Sequence, residues 1–172
     1  MQRILFFALF SFALVQGHEA QSTIYLVRHA EKAQDASQNA KDPALSGAGR
    51  ARAEALAAVL KDAKIQSVYA TEFQRTQQTA GPVARLAGRE VSIVPAAETP
   101  TLLAKMKIAD GNILVVGHSN TLPEIIKLLG VRDPITLEET EYDNLFVLSC
   151  GSPPELLRLR YAGGVRETNA LR

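Results

Sequence analysis

The chain has 172 residues, of which 47% are hydrophobic, so one domain with a substantial core is the expected organisation. Nineteen basic residues stand against eighteen acidic ones, and the resulting formal charge of +1 excludes a broad basic surface for nucleic acid or an anionic membrane. The single cysteine, Cys150, excludes an internal disulfide and disfavours a thiolate metal cluster.

The first twenty residues have the pattern of a secretory signal peptide. Arg3 precedes an apolar run over residues 4–15, and polar and small residues follow it. The run is shorter than the roughly 20 apolar residues that span a bilayer, so a stable membrane anchor is not expected. We expect cleavage after Gly17 or Ala20 and export, which in a bacterium means the periplasm. Residues 21–172 then form the mature domain.

From residue 22 onward, apolar runs alternate with helical patterns, which predicts an α/β fold. The predicted elements are strand 23–27, helix 46 to about 63, strand 66–70, helix 72–86, strand 91–94, helix 100–108, strand 112–117 and helix 122–129. Two further strand-like runs, 144–150 and 155–161, are joined by Gly151-Ser152-Pro153-Pro154 and predict a hairpin at a sheet edge. We therefore predict a three-layer sandwich, with a mostly parallel central sheet flanked by helices.

Two histidines occupy equivalent places in this scheme. His29 follows Arg28 at the carboxyl end of the first strand, and His118 follows Gly117 at the carboxyl end of another. In open α/β sheets, ligands bind in crevices outside the carboxyl ends of the strands. Either histidine alone could be structural, but the two together with an adjacent arginine favour a functional site. The polar loop 34–43 directly follows the first strand and is expected to face the substrate.

Arg75 strengthens this interpretation because it falls in the first turn of the helix after the second strand. A cation there opposes the helix dipole, whereas a bound phosphate would gain from both the guanidinium and the free amides. A solvated surface charge is the alternative interpretation of Arg75.

Four segments, in order, resemble the motifs of the histidine phosphatase superfamily, also called phosphoglycerate-mutase-like. They are Leu26-Val27-Arg28-His29-Ala30-Glu31, Leu45-Ser46-Gly47-Ala48-Gly49, Arg75 with Thr79-Ala80, and Gly117-His118-Ser119-Asn120. The resemblance spans about residues 23–125. It implies a phosphate pocket formed by Arg28, His29, Arg75 and His118, with Asn120 as a supporting ligand.

These residue types suit phosphoryl transfer. A neutral His29 imidazole would attack phosphorus in line and form a phosphohistidine, which water would then hydrolyse. Arg28, Arg75 and a protonated His118 would stabilise the equatorial oxygens. This scheme requires no metal and no cofactor, and the expected partner is a small phosphorylated substrate. Sugar phosphates, phosphorylated glycans and phosphohistidine proteins are candidates, of which export favours the first two. The sequence indicates no particular oligomeric state.

The general acid that protonates the leaving oxygen is not evident. In many relatives of the mutase branch an acidic residue follows the arginine equated with Arg75 by about 27 positions, but the region around Leu102 is apolar here. Glu72, at the start of the second predicted helix, is the first candidate, and Glu98 and Glu124 are alternatives. A carboxylate that stabilises a helix N-terminus explains Glu72 equally well.

Three other functions are suggested by parts of the same sequence. The segment 117–121 superficially resembles the nucleophile elbow of serine hydrolases, but Thr121 replaces the last glycine and no histidine follows His118. A phosphoglycerate-mutase-type transferase shares the first step, but it must exclude water with a substantial lid, and no long insertion is present. A non-catalytic phosphate-binding module would carry the same motif residues and remains an alternative.

Overall fold

The computed structural model describes residues 22–33 and 41–161. The predicted signal segment and residues 34–40 of the predicted substrate-facing loop lie outside the described residues. Within these two ranges, none of the helices has the length and apolarity needed to cross a bilayer.

Strands and helices alternate along the described chain as the sequence predicts. In order they are β1 (Thr23–Arg28), α1 (Gly47–Val59), β2 (Ile65–Ala70), α2 (Gln74–Ala87), β3 (Val91–Ile93), α3 (Thr99–Ile108), β4 (Asn112–Gly117), α4 (Thr121–Leu128), β5 (Asn144–Ser149) and β6 (Glu155–Arg160). The predicted α/β fold is therefore confirmed.

The strands form one six-stranded sheet in the order β3-β2-β4-β1-β5-β6. Neighbours among β3, β2, β4 and β1 are parallel, whereas β5 is antiparallel to β1 and β6 is antiparallel to β5. The predicted C-terminal hairpin thus supplies one edge of the sheet. The register of β1 and β4 pairs Arg28 with Gly117, so the residues that follow, His29 and His118, lie side by side.

Helices cover both faces of the sheet, because strand residues alternate between the two. In β1, Leu26 joins a core cluster with residues of α3 and α4, and Val27 joins a second cluster with residues of α1 and α2. Both side chains are fully buried. Leu102 of α3 also lies in the first cluster, so the apolar region that lacks the expected acid is core.

Two helix boundaries differ from the prediction by more than one residue. Helix α1 ends at Val59 instead of near Ala63, since the amide of Ala63 donates to the Leu60 carbonyl in a turn and Lys64 has a φ of 49°. Helix α2 begins at Gln74 and not at residue 72, because Phe73 has extended backbone angles and acts as the N-cap. The alanine-rich pattern alone does not show the turn after α1.

Candidate active site

The two histidines lie together where β1 and β4 end. Their ring centroids are 5.3 Å apart, and the amide of His29 donates to the carbonyl of Gly117 at 3.0 Å. Only 5% of His29 and 8% of His118 is exposed. The parallel register of the two strands therefore brings two nearly buried imidazoles into one place.

The contacts of His29 fix which ring nitrogen is free. Nδ1 lies 2.8 Å from the carbonyl oxygen of Ala30, and a carbonyl only accepts, so Nδ1 carries the hydrogen. Burial lowers the pKa of His29 to about 4, against the opposing effect of this bond, and the neighbouring Arg28 lowers it further. At neutral pH, His29 is therefore an uncharged imidazole with a lone pair on Nε2, the form that a nucleophile requires.

The backbone after His29 is held by the motif on α2. The hydroxyl of Thr79 accepts from the amide of Ala30 at 2.9 Å and donates to the carbonyl of Arg75 at 2.7 Å. Thr79 is fully buried. Its role explains the spacing between Arg75 and Thr79, because one turn of α2 links the arginine to the loop that follows the nucleophile.

His118 is held by a series of buried hydroxyl groups. Its Nε2 lies 3.0 Å from Oγ1 of Thr71, which lies 2.9 Å from Oγ1 of Thr76, and the Thr76 hydroxyl is 2.7 Å from the carbonyl oxygen of Phe73. The direction in which His118 donates to Thr71, Thr71 to Thr76 and Thr76 to the carbonyl satisfies each hydroxyl as donor and acceptor. In the reverse direction Thr76 would donate to Thr71, so it could no longer donate to the Phe73 carbonyl, and its own oxygen would have no donor in this series. We therefore place a hydrogen on Nε2.

The charge state of His118 depends on what the site holds. Burial, followed by the nearby Arg75 guanidinium, lowers the pKa of His118 to about 4. His118 is thus neutral at pH 7 in the protein without a ligand. The protonated form that the sequence analysis expects requires a bound anion, which would raise this pKa.

Arg28 is the most buried cation of the site, with 2% of its surface exposed. One terminal nitrogen, Nη1, donates to the carbonyl of Glu138 at 3.0 Å, and the other, Nη2, lies 2.6 Å from a carboxylate oxygen of Glu139. Its guanidinium also lies 4.4 Å from the ring centre of Tyr142. The buried Nε has no partner among the described residues. A buried N–H of this kind costs free energy unless a ligand satisfies it.

Arg75 supplies a second guanidinium from the first turn of α2. It stacks over the ring of Phe73 at 4.3 Å, and its Nη1 lies 3.7 Å from a carboxylate oxygen of Asp42. The Phe73 ring in turn meets the His118 ring edge to face, with centroids 5.4 Å apart. Stacking on the aromatic ring orients Arg75 towards the histidines.

The candidate residues border a cleft of about 260 Å³. Its described lining comprises Arg28, His29, Lys32, Phe73, Arg75, Ala96, His118, Ser119, Asn120, Thr121 and Glu139. Asn120 is on the rim as the N-cap of α4, and its side chain makes no capping bond. Glu72, the first candidate for the acid, is not in the described lining, and its carboxylate accepts from the amide of Ala96 at 2.8 Å.

Glu139, which no sequence motif marks as a site residue, lies in the α4–β5 connection (residues 129–143). One of its oxygens contacts Arg28, and the other accepts a hydrogen bond from the hydroxyl of Ser119. The Ser119 hydroxyl and the Arg28 charge lower the pKa of Glu139 below its ordinary value. No signal in the acidic run 138–143 marks Glu139, since the contact is made by a long connection crossing the ends of the strands.

The family model of the histidine phosphatase superfamily (branch 1) matches residues 24–98. This range includes Arg28, His29, Arg75 and Thr79. Over these residues the chain is similar to the histidine phosphatase superfamily. This similarity supports a phosphatase or phosphotransferase role, in agreement with the two arginines and two histidines of the cleft. No curated protein sequence matches the chain at a significant level.

Solved structures share the histidine phosphatase fold with this chain. A protein histidine phosphatase SixA in complex with tungstate is 17% identical, with a TM-score of 0.65 over 80% of this chain and 96% of that one. A mycobacterial glucosyl-3-phosphoglycerate phosphatase is 14% identical, with a TM-score of 0.61 over 83% of this chain and 99% of that one. A structure described as mycobacterial hydrolase 2 is 14% identical, with a TM-score of 0.65 over 86% and 93% of the two chains. At these identities the likeness concerns the fold.

Proposed function

We propose that the protein hydrolyses phosphomonoesters without a metal ion, through a phosphohistidine on His29. The observation that carries this proposal is the bond between Nδ1 of His29 and the Ala30 carbonyl, at 2.8 Å. It leaves Nε2 as the free nitrogen of an imidazole that remains neutral down to a pH of about 4. A neutral nucleophile placed beside two guanidinium groups is the arrangement that phosphoryl transfer to nitrogen requires.

The cationic groups of the cleft stabilise the negative charge of the phosphoryl oxygens. Arg28 and Arg75 both line the cleft, and each offers a guanidinium group to a phosphoryl oxygen. Each such donor contributes on the order of 10²–10³ in rate when it acts on charge that develops in the transition state. A phosphate dianion would also raise the pKa of His118, so this imidazole becomes a third cationic donor only when substrate is present. Binding of the phosphoryl group thus produces the third cationic donor of the site.

Hydrolysis is preferred over transfer because the cleft is accessible to water at its rim. The side chain of Glu139 is 76% exposed, although its carboxylate contacts the buried Arg28. A transferase must exclude water from the phosphorylated histidine, so an exposed carboxylate that contacts Arg28 favours hydrolysis. The related structures named above carry names with different substrates, a phosphorylated protein histidine and a glucosyl phosphoglycerate. The substrate class of this chain therefore needs direct measurement.

The test is a panel of phosphomonoesters assayed with chelator-treated protein, followed by trapping with labelled substrate. We expect release of inorganic phosphate without added metal and label on the peptide that contains His29. His29→Ala should abolish turnover while phosphate binding persists, because the cationic groups remain. Loss of activity with chelator and recovery with a divalent cation would refute the mechanism, as would label on His118. Transfer of the label to an alcohol in preference to water would favour the transferase alternative.

A further inference from the structure

We propose that Glu139 is the acid–base residue of this cleft, giving a proton to the leaving oxygen and later taking one from the attacking water. The proposal rests on the phosphatase function proposed above. It fills the role for which the sequence offers Glu72, and it concerns a residue outside the four motifs.

The depth of the residues in the cleft supports this assignment. His29 and Arg28 form the floor, with 5% and 2% exposure, whereas the Glu139 side chain is 76% exposed at the rim. In an in-line displacement the attacking and leaving atoms lie on opposite sides of phosphorus. An attack by His29 from the floor therefore directs the leaving oxygen to the mouth of the cleft, where Glu139 lies.

The contacts of Glu139 place it within reach of the reacting group. Its Oε2 is 2.6 Å from Nη2 of Arg28, the guanidinium whose Nε is unpartnered among the described residues. A phosphoryl group bound by this guanidinium would be adjacent to the carboxylate, at the separation over which protons are exchanged directly or through one water. The Ser119 hydroxyl holds the second carboxylate oxygen and fixes its orientation.

Substrate binding favours the protonated form of Glu139, which takes its proton from solvent. In the empty cleft, Ser119 and Arg28 favour the ionised carboxylate. A phosphoryl dianion competes for the same guanidinium and adds negative charge beside the carboxylate, and both effects favour the protonated acid. The proton donor is thus present when the ester is bound.

With this acid–base residue, both steps of ester hydrolysis can be written with every bond and proton accounted for. The lone pair on Nε2 of His29 forms the N–P bond as the P–O bond of the ester breaks. The electron pair stays on the leaving oxygen, which takes the proton of Glu139 and departs as an alcohol. The Glu139 carboxylate next removes a proton from water as the water oxygen bonds to phosphorus and the N–P bond breaks. Inorganic phosphate leaves, and Glu139 releases this proton to solvent and returns to the ionised form of the empty cleft.

Other carboxylates are less well placed for this role. Glu139 is the only carboxylic acid in the described lining of the cleft. The carboxylate of Glu98 accepts from the Thr101 hydroxyl at 2.7 Å, and Glu124 is exposed in the first turn of α4. The Glu72 carboxylate is engaged by the Ala96 amide, as described above.

A comparison of leaving groups tests the assignment. The full chain, Glu139→Gln and Glu139→Asp are assayed on glycerol phosphate, whose alkoxide must be protonated, and on p-nitrophenyl phosphate, whose phenolate leaves readily. For Glu139→Gln we expect kcat/KM on glycerol phosphate to fall about 10²-fold or more relative to its change on p-nitrophenyl phosphate, the typical contribution of a general acid. Glu139→Asp should restore part of the selective loss. Glu90→Gln makes the same charge change in the exposed turn before β3 and should leave both rates unchanged.

The possible outcomes separate this proposal from the proposed function. Equal losses of kcat/KM on the two esters in Glu139→Gln, or tighter phosphate binding with faster turnover of both, would show that Glu139 is only an anion that competes for Arg28. The phosphatase function would then stand and the acid–base assignment would fall. Wild-type protein that hydrolyses neither ester, nor any other member of the substrate panel, would overturn both.

Discussion

A Cβ atom on Gly49 would lie 2.1 Å from the carbonyl oxygen of Glu31. The same carbonyl accepts from the amide of Ser46, the N-cap of α1, at 2.9 Å. The start of α1 therefore packs directly against the backbone two residues beyond His29. Glycine is required at position 49 for this close approach, although the residue is far from the reacting groups in sequence.

Gly49→Ala should consequently damage both stability and catalysis. The methyl group must displace either α1 or the loop after His29, so we expect a loss of about 1–3 kcal/mol in the free energy of unfolding and a lower kcat. Gly47→Ala is the matched control in the same helix, because the nearest atom to its Cβ would be 4.0 Å away. Urea denaturation gives the free energy of unfolding of the two variants, and steady-state assays give their kcat. Equal values for Gly49→Ala and Gly47→Ala would contradict the prediction.

Replacement of Arg75 by lysine should reduce kcat/KM by about 10²-fold or more, since lysine keeps the charge but loses the planar fork that matches phosphoryl oxygens. Arg85→Lys on the same helix is the control. Arg85 is exposed and pairs with Glu54 at 3.0 Å, so its replacement should change kcat/KM little. Steady-state kinetics on one phosphomonoester compares the two. Similar losses for both variants would mean that Arg75 acts only as a surface charge.

Thr71→Val should slow turnover without unfolding the protein. The change removes the hydroxyl that contacts Nε2 of His118, so the imidazole loses its orientation and the acceptor for its hydrogen. The loss of such a bond, worth about 1–2 kcal/mol, corresponds to roughly a tenfold fall in kcat. Thr71→Ser retains the hydroxyl and should keep most of the wild-type rate. Wild-type kcat in Thr71→Val would show that the contact has no catalytic role.

The pairing of His29 and His118 could be predicted from the sequence. An apolar strand ends before each of them, and parallel strands place such ends at one edge of a sheet. Once β1 and β4 are neighbours in the sheet, their ends align, as the pairing of Arg28 with Gly117 shows. For the same reason the sheet, the helices and the terminal hairpin follow from the alternation of apolar runs.

Glu139 and Tyr142 could not be anticipated, because a solvated acidic run and a site residue look alike in sequence. Their positions depend on the path of the α4–β5 connection, which brings the Glu138 carbonyl and the Glu139 carboxylate to the buried Arg28. These contacts join residues about 110 positions apart, so no local sequence pattern predicts them. Glu72 is the opposite case. Its position near a strand end suggested a site residue, but its carboxylate accepts a hydrogen bond from the Ala96 amide instead.

The stability of the protein should fall as the pH decreases from about 6.5 to about 4.5. Burial lowers the pKa values of His29 and His118 from 6.5 to about 4 in the folded protein. Between these values the unfolded chain binds protons at both residues and the folded chain does not, so acid favours unfolding. Each histidine contributes at most about 1.4 kcal/mol per pH unit to the slope. Glu141, whose contact with Arg160 lowers its pKa from 4.5 to about 2, adds its effect only below this window.

Urea denaturation at several pH values measures this dependence. His29→Gln should reduce the slope between pH 4.5 and 6.5, because one of the two groups no longer titrates. Inorganic phosphate should stabilise the wild-type protein and flatten the slope, since the anion raises the pKa of the folded histidines towards the unfolded value. A slope that is the same in wild type and His29→Gln would show that folding does not lower the pKa of His29. His29 would then lose the free lone pair on Nε2 that phosphoryl transfer requires below a pH of about 6.5 instead of about 4.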